Sequence, residues 1–418
     1  MSDDLLQRIQ TLQFEHRDEA ETLLKSFLHK VYSPEVEKVE LRPLAVSLNS
    51  FNGYITLSSG QRLFFKTHTE PDTVISEYYN AGRLADAGYP IIRPIFSSTD
   101  VGKQLLIYEV ISSVSVFDVA WSIECGDNSQ FKSLSNAQER SDKQLFDLYI
   151  SSLAEQAAEE ADKSPIHQLF YHRLTGGRLA RFYGQTESGN YTQISLPDKT
   201  YSMDVIRNAR WVINGQVYDE TIEQIIQRAI KLLNPSTSGI SVIGHGDAHN
   251  GNVFFQPETN PPSLLYFDPA FAGRHSPLLD LTKPLFHNVF AMWMYFPQVK
   301  RDAIHIQMNK NGDSFVVQHD YVLHPVREMF LESKLKHTFI PLLRKLRTEN
   351  LLQDNWREYL KAALFCCPFL TMNLTDAQKF PSEISLLGLA MSVEMGSESK
   401  NKRSKIDQVL DRVAAEIG

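Results

Sequence analysis

The sequence predicts an α+β chain: a small lobe built on an antiparallel β-sheet, followed by a large and mainly helical lobe. Three observations carry that expectation. Runs rich in β-branched and aromatic residues, joined by turn residues, lie in roughly the first hundred positions. Beyond them, apolar residues recur at three- and four-residue spacing over long stretches. A dense polar segment, His245 to Asn252, sits between two short apolar runs late in the chain. The length of 418 residues allows two to three domains, or one two-lobed unit, at roughly 100–200 residues each.

The elements follow in order. Residues 1–40 are expected as an N-terminal helical segment, because Leu5, Ile9 and Leu12, then Leu23, Leu24, Phe27, Leu28 and Val31, keep helical spacing. Residues 41–111 are expected as the β-rich lobe. Tyr54–Leu57 and Arg62–Lys66 read as hairpin strands around Ser58-Ser59-Gly60-Gln61. A short helix over Val74–Ala87 is stopped by Gly88 and Pro90, and strands are expected near Ile91–Phe96 and Gln104–Ile111.

Residues 112–418 are the expected helical lobe. Its polar, Ser-rich opening, Asp118–Lys143, reads as a loop or insertion, and a helix begins at Leu145. The stretch from Phe170 to Tyr218 is rich in Tyr, Arg and Gly. It reads as a half-packed insertion or the lining of a substrate cleft, and closes on a hairpin, Trp211–Ile213 and Gln216–Tyr218 around Asn214-Gly215. Ile222, Ile225, Ile226, Ala229, Ile230 and Leu233 then mark one face of an amphipathic helix, followed by a short strand, Ile240–Ile243. After Pro284 the chain is expected to be helical to its end. Trp356, Tyr359, Leu360, Ala363, Leu364 and Cys367 share one stripe, which puts the Cys366-Cys367 pair in the core.

Composition narrows the function classes. Forty-two per cent apolar and 22 per cent charged residues are globular values and exclude wholesale disorder. A formal charge of −8 argues against a nucleic-acid or anionic-membrane partner. Three cysteines without CxxC spacing make neither a disulfide scaffold nor a zinc cluster. The start is acidic with no signal-like apolar run, and Pro284–Val299 is too short and too polar to span a membrane. A soluble, cytoplasmic protein is expected.

The chemistry concentrates in His245-Gly246-Asp247-Ala248-His249-Asn250-Gly251-Asn252, where an aspartate and an asparagine stand five residues apart in a polar loop. Further on, Leu264-Leu265-Tyr266-Phe267 ends in Asp268. Asn252 and Asp268 offer oxygen donors suited to a hard cation such as Mg²⁺. Asp247 needs no metal: it is placed to accept a proton from an attacking hydroxyl and to orient it. Together these are the parts of a phosphoryl-transfer enzyme.

The pattern His245-Gly246-Asp247-x-His249-x-x-Asn252, with Asp268 following, resembles that of the aminoglycoside phosphotransferase and choline kinase-like small-molecule kinases. The resemblance covers patches between Ser47 and Leu281. It implies a bilobal protein kinase-like fold, ATP and Mg²⁺ as cofactors, and a small-molecule hydroxyl as acceptor: a sugar, an amino sugar, an aminoglycoside or an amino alcohol. It also implies roles. Lys66 would hold the α- and β-phosphates with Glu77 as its ion-pair partner, and the backbone of Glu109 and Val110 would bond adenine. Ser50 and Asn52, in the segment Ser47–Gly53 that stands where a glycine-rich loop is usual, would cover the phosphates. Asn252 and Asp268 would bind metal and Asp280 would brace the loop. His245 would brace it too, and His249 would either brace it or touch the site.

Two other classes are weighed. His245-x-Asp247-x-His249 also reads as a transition-metal cluster, which would make the chain a metal-dependent hydrolase. That reading leaves Asn252 and Lys66 unused. A non-catalytic, nucleotide-binding pseudokinase would require the loss of Lys66, Asp247, Asn252 or Asp268, and all four are present.

Overall fold

A computed structural model of the chain describes residues 3–32, 34–42, 50–68, 80–100 and 102–418. It is a mixed helix-and-strand structure that divides into two compact units. One comprises Met1–Val114 together with Leu265–Ala270, the other Ser115–Leu264 and Phe271–Gly418.

The first unit holds α1 (Asp3–Glu15), α2 (Arg17–Val31), β1 (Val36–Leu41), β2 (Ser50–Leu57), β3 (Arg62–His68), β4 (Phe96–Ser98) and β5 (Leu105–Glu109). The five strands form one antiparallel sheet in the order β1-β2-β3-β5-β4. Leu24, Phe27 and Leu28 of α2 share one buried core with Ile55, Leu63, Phe65 and Ile107 of the sheet. The helical pattern of the first forty residues therefore ends early. Val36, Val39 and Leu41 are buried in an edge strand that pairs with β2, where β-branched side chains fit the pleat.

Of the helix expected over Val74–Ala87, the structure describes a helical stretch over 80–86; positions 74–79 lie outside the described residues. Gly88, at φ +97°, ends it, a conformation that glycine adopts without a Cβ penalty. Of the strand expected over Ile91–Phe96, Ile91 makes a single parallel bridge to Tyr266 and Phe96 opens β4. Tyr266 N donates to Pro90 O (2.8 Å) and Ile92 N to Tyr266 O (3.0 Å), which ties the segment 265–270 into this unit.

The second unit opens on α3 (Val116–Glu124) and α4 (Phe131–Ser152), where a polar loop is expected from the sequence. The buried face of α4 runs Leu134, Ala137, Gln138, Asp142, Leu145 and Tyr149, so two of its members are polar. Each is satisfied inside: Gln138 Nε2 donates to Asp142 Oδ1 at 3.0 Å, and Asp142 ion-pairs with Lys334. Polar residues on a core face hide the helical period.

Next come β6 (Ala154–Gln156), α5 (Tyr171–Thr175), β7 (Arg210–Ile213), β8 (Gln216–Tyr218) and α6 (Ile222–Leu232). The Asn214-Gly215 hairpin is present, with positive φ at both turn residues. Thr221 and Gln224 close a capping box at the start of α6. The site region is built on β9 (Gly239–Gly244), β10 (Val253–Gln256), β11 (Ser263–Tyr266), β12 (Gly273–His275) and α7 (Pro277–His287).

The remainder is not wholly helical. β13 (Ile306–Asn311) and β14 (Ser314–His319) form a hairpin that turns at Gly312, φ +57°, and pairs in parallel with β7. Phe315 and Val317 alternate inward, a period-two signal too short to stand out among helical stripes. The helices that follow include α8 (Pro325–Lys334), α9 (Trp356–Leu370), α10 (Ser382–Gly396) and α11 (Lys405–Ile417). Cys366 and Cys367 are buried on α9. Among the described residues no helix is long and apolar enough to cross a membrane.

Candidate functional site

β9 delivers the chain into the loop at His245, and the loop turns through Gly246 at φ +80°. A Cβ there would stand 2.3 Å from the carbonyl oxygen of Phe271, so both the conformation and the space require glycine. Gly246 N donates to Asp280 Oδ1 at 2.5 Å. Asp280 is buried, accepts from Tyr149 Oη, and meets His275 Nε2 at 3.0 Å. Burial by itself would raise its carboxyl, but His275, Tyr149 and the Gly246 amide hold it below the ordinary aspartate value. Asp280 thus anchors the loop from α7 by several hydrogen bonds.

Beyond Gly246 the loop closes on itself. Asn252 Nδ2 donates to the carbonyl of Asp247 (2.9 Å), and Asn252 N donates to His249 O (2.8 Å). His249 Nδ1 accepts from Gly251 N at 3.1 Å, and Asn250 N donates to Asn288 Oδ1 at 2.7 Å. With its amide nitrogen engaged in this way, Asn252 keeps its carbonyl oxygen as an acceptor. His245 is fully buried at the base of the loop.

Asp247 is largely buried, with a side chain 16% exposed. Desolvation would raise its carboxyl, but Lys283, His249, His245 and Arg173 together hold it below the ordinary range. Lys283 Nζ lies 3.4 Å from Asp247 Oδ1, and His249 Nε2 lies 3.9 Å from Oδ2. The lysine, 4% exposed on α7, also meets His287 Nε2 at 3.2 Å, and His287 Nδ1 meets Tyr295 Oη at 2.8 Å. An ammonium only donates, so Nε2 accepts and Nδ1 carries the imidazole proton towards Tyr295. Burial, then the Lys283 charge, push His287 well below the ordinary histidine value, which agrees with that neutral form. Tyr295 packs edge-on against Phe117, with ring centroids 5.0 Å apart.

In the first unit, Lys66 on β3 pairs in register with Asn52 on β2 and with Leu106 on β5. Its Nζ lies 3.3 Å from Asp268 Oδ1. Asp268 has φ +54°, a left-handed conformation uncommon outside glycine, and Asn80 Nδ2 donates to the next carbonyl, Pro269 O, at 3.1 Å. Glu109 ends β5 and Val110 follows it, both exposed. Ser50 and Asn52 belong to strand β2 and not to a loop, so the strand reaches further back than the hairpin reading placed it. Glu77 lies outside the described residues.

The structure thus brings Asp247 together with Asn252, His249 and, through the loop backbone, Asp280, and it brings Lys66 together with Asp268. Lys283, His287 and Tyr295 are absent from the sequence reading. Their signal was the i, i+4 spacing of Lys283 and His287 within an otherwise apolar run. A transition-metal cluster at His245, Asp247 and His249 is not formed: among the described residues no three His, Cys, Asp or Glu side chains are arranged to hold a metal.

The model of the ecdysteroid kinase-like family matches residues 134–292, a span that contains Asp247, Asn252, Asp268, Asp280 and Lys283. No curated protein matches. Among solved structures, the chain is similar to an amicoumacin kinase in complex with AMP-PNP and Ca²⁺, at 13% identity and a TM-score of 0.46, over 97% of this chain and 94% of that one. An aminoglycoside phosphotransferase in a ternary complex with ADP and hygromycin B aligns at 9% identity and a TM-score of 0.45, over 89% and 98%. A fructosamine-3-kinase from Thermobifida fusca aligns at 12% identity and a TM-score of 0.41, over 89% and 98%. These three solved structures are of small-molecule kinases and phosphotransferases.

Proposed function

We propose that the chain is an ATP- and Mg²⁺-dependent kinase that phosphorylates a hydroxyl of a small molecule, with Asp247 as its catalytic residue. The observation that carries this reading is a carboxylate held ionised in a loop that Asp280 anchors and Asn252 closes. Asp247 accepts a hydrogen bond from the acceptor hydroxyl and aims its oxygen in line with the γ-phosphorus. The acceptor O–P bond forms as the bond from the γ-phosphorus to the β,γ-bridging oxygen breaks. The hydroxyl proton passes to Asp247 and then to solvent, and ADP leaves with the bridging oxygen. Most of the acceleration comes from positioning and charge neutralisation, because a loose transition state asks little of a base.

Lys66 holds the α- and β-phosphates, with Glu77 as its partner. The backbone of Glu109 and Val110 bonds the base, and the segment that includes Ser50 and Asn52 covers the phosphates. Asn252 Oδ1 and the Asp268 carboxylate are oxygen donors of the type a hard cation prefers, and they are the residues that would hold Mg²⁺. When bound with nucleotide, Mg²⁺ neutralises the triphosphate charge. His245, His249 and Asp280 support the loop.

The test is Asp247→Asn assayed by ADP release across sugars, amino alcohols and aminoglycosides, with thermal shift by ATP and Mg²⁺ alongside. Turnover should vanish while the nucleotide-induced shift persists. A variant that turns over any acceptor as fast as the parent protein removes Asp247 from this role.

A further inference from the structure

The helix α7 grips the site loop on both sides of Asp247. Near its start, Asp280 accepts from Gly246 N, the residue before Asp247. About two turns further on, Asn288 ends the helix and accepts through Oδ1 from Asn250 N at 2.7 Å, just beyond Asp247. Lys283 stands between these two anchors and meets Asp247 itself. Asn250 and Asn288 are both buried, so water does not compete for their bond. The last turn of α7 therefore helps to set where the Asp247 carboxylate lies.

That last turn is held by a charge from elsewhere in the second unit. Carbonyls at the end of a helix lack donors within it. Arg327, on α8, donates from Nη1 to Asn288 O at 3.4 Å, a long bond whose donor is charged, and from Nε to Glu124 Oε2 at 2.8 Å. The helix dipole also favours a cation at this end. Glu124 is the last residue of α3, which packs against the Asn250–Asn252 turn, and its other oxygen pairs with Lys300. Burial would raise the Glu124 carboxyl, but Arg327 and Lys300 hold it below the ordinary glutamate value.

This arrangement is not the one that stability alone would select. Arg327 is 1% exposed, and its Nη2 is buried without a hydrogen-bond partner, which is costly. An apolar side chain of similar volume would avoid that cost. What an apolar side chain could not do is hold Glu124 and the Asn288 carbonyl at once, as the fork of a guanidinium does.

We propose that Arg327 is a positioning residue for phosphoryl transfer: held by Glu124, it fixes the end of α7, and through Asn288 it sets the placement of the loop that carries Asp247 and Asn252. The proposal rests on the kinase reading and adds to it a group that acts on the reaction only through Asn288.

The experiment takes Arg327→Lys, Asn288→Ala, Asn288→Asp and the double variant of the first two. Arg327→Lys keeps a charge for Glu124 but loses the fork that also reaches Asn288. Each is assayed well below its unfolding midpoint by ADP release, with ATP, Mg²⁺ and whichever sugar, amino alcohol or aminoglycoside the parent protein turns over fastest. Arg327→Lys and Asn288→Ala should each lower kcat by roughly 10- to 100-fold, as misplacement of a reacting group does, with KM values within about threefold of the parent. Asn288→Asp keeps an acceptor oxygen and should recover most of the loss. In the double variant the two losses should not multiply, because both act through one residue. Amide hydrogen exchange over residues 246–252, which needs no acceptor, should quicken in Arg327→Lys and Asn288→Ala alike. Three results overturn the proposal: parent-level kcat in Arg327→Lys with only stability lowered, losses that multiply in the double variant, or unchanged exchange in the loop. Absence of ADP release by the parent protein with every acceptor is a separate outcome. It removes the kinase reading, and the exchange rates then decide whether Arg327 holds the loop.

Discussion

The ammonium of Lys283 sits 3.4 Å from the Asp247 carboxylate, with both side chains largely withdrawn from water at 5% and 16% exposure. A buried ion pair is costly to assemble and more costly to break. Removal of one partner leaves an uncompensated charge, worth about 3–5 kcal/mol. Lys283→Met should therefore lower the unfolding free energy by about 3 kcal/mol and abolish turnover. Lys283→Arg should recover part of both, and denaturant unfolding read beside steady-state kinetics checks the pair. Wild-type stability in Lys283→Met would show that the pair is weakly formed.

Asp280 links Gly246 N, Tyr149 and His275 around one buried carboxylate. Asp280→Ala strands three donors in a dry environment, so a loss of about 3 kcal/mol or more is expected. Tyr149→Phe removes one of the three and should cost about 1 kcal/mol. Unfolding midpoints of the two variants give the comparison.

Gly246→Ala combines a left-handed backbone with a Cβ 2.3 Å from Phe271 O. About 1–3 kcal/mol of strain is expected from the conformation alone. The loop that presents Asp247 would have to shift to relieve the contact. Activity should therefore fall further than stability does, and activity measured well below the unfolding midpoint tests that ordering.

Glu394 on α10 lies where burial pushes its carboxyl up to about 7, with Asp407 adding to the rise and Lys361 opposing it. The sign follows from linkage: the unfolded chain ionises near 4.5 and the folded one near 7. The contribution is whole below about pH 4.5 and is lost as pH rises through about 7. Stability of the parent protein should decline across that window by more than in Glu394→Gln, and urea titrations at several pH values read the difference. Parallel pH profiles would remove Glu394 as a source of the decline.

Much of this was legible in the residues themselves. The turn from His245 to Asn252 was legible in its residue types and spacing, and the structure closes it through Gly246 and the Asn252 hydrogen bonds. Lys66 and Asp268 are 202 positions apart in sequence; each was expected at a strand end, whereas Lys66 lies within β3, which runs on to His68, and Asp268 follows β11 by two residues. What stayed hidden had one physical cause, polar groups spent on packing. Gln138 and Asp142 disguised α4 as a loop, and His287 read only as a polar break in the apolar run that begins at Pro284, with Lys283 just before it. Asp142 pairs with Lys334 and Lys283 with Asp247, partners remote in sequence, and such pairing is invisible to local periodicity. The β13–β14 hairpin was missed for a different reason: its inward alternation is carried by only Phe315 and Val317.

Because residues 265–270 fold with the first unit, the chain cannot be parted at a single peptide bond. A fragment stopped at Val114 would lack Tyr266, to which Pro90 and Ile92 bond, and the carboxylate that meets Lys66. Its complement would carry a hydrophobic six-residue stretch with nothing to receive it. Attempts to express either half in isolation should thus give aggregation-prone material, whereas co-expression of both pieces offers a route to reassembly.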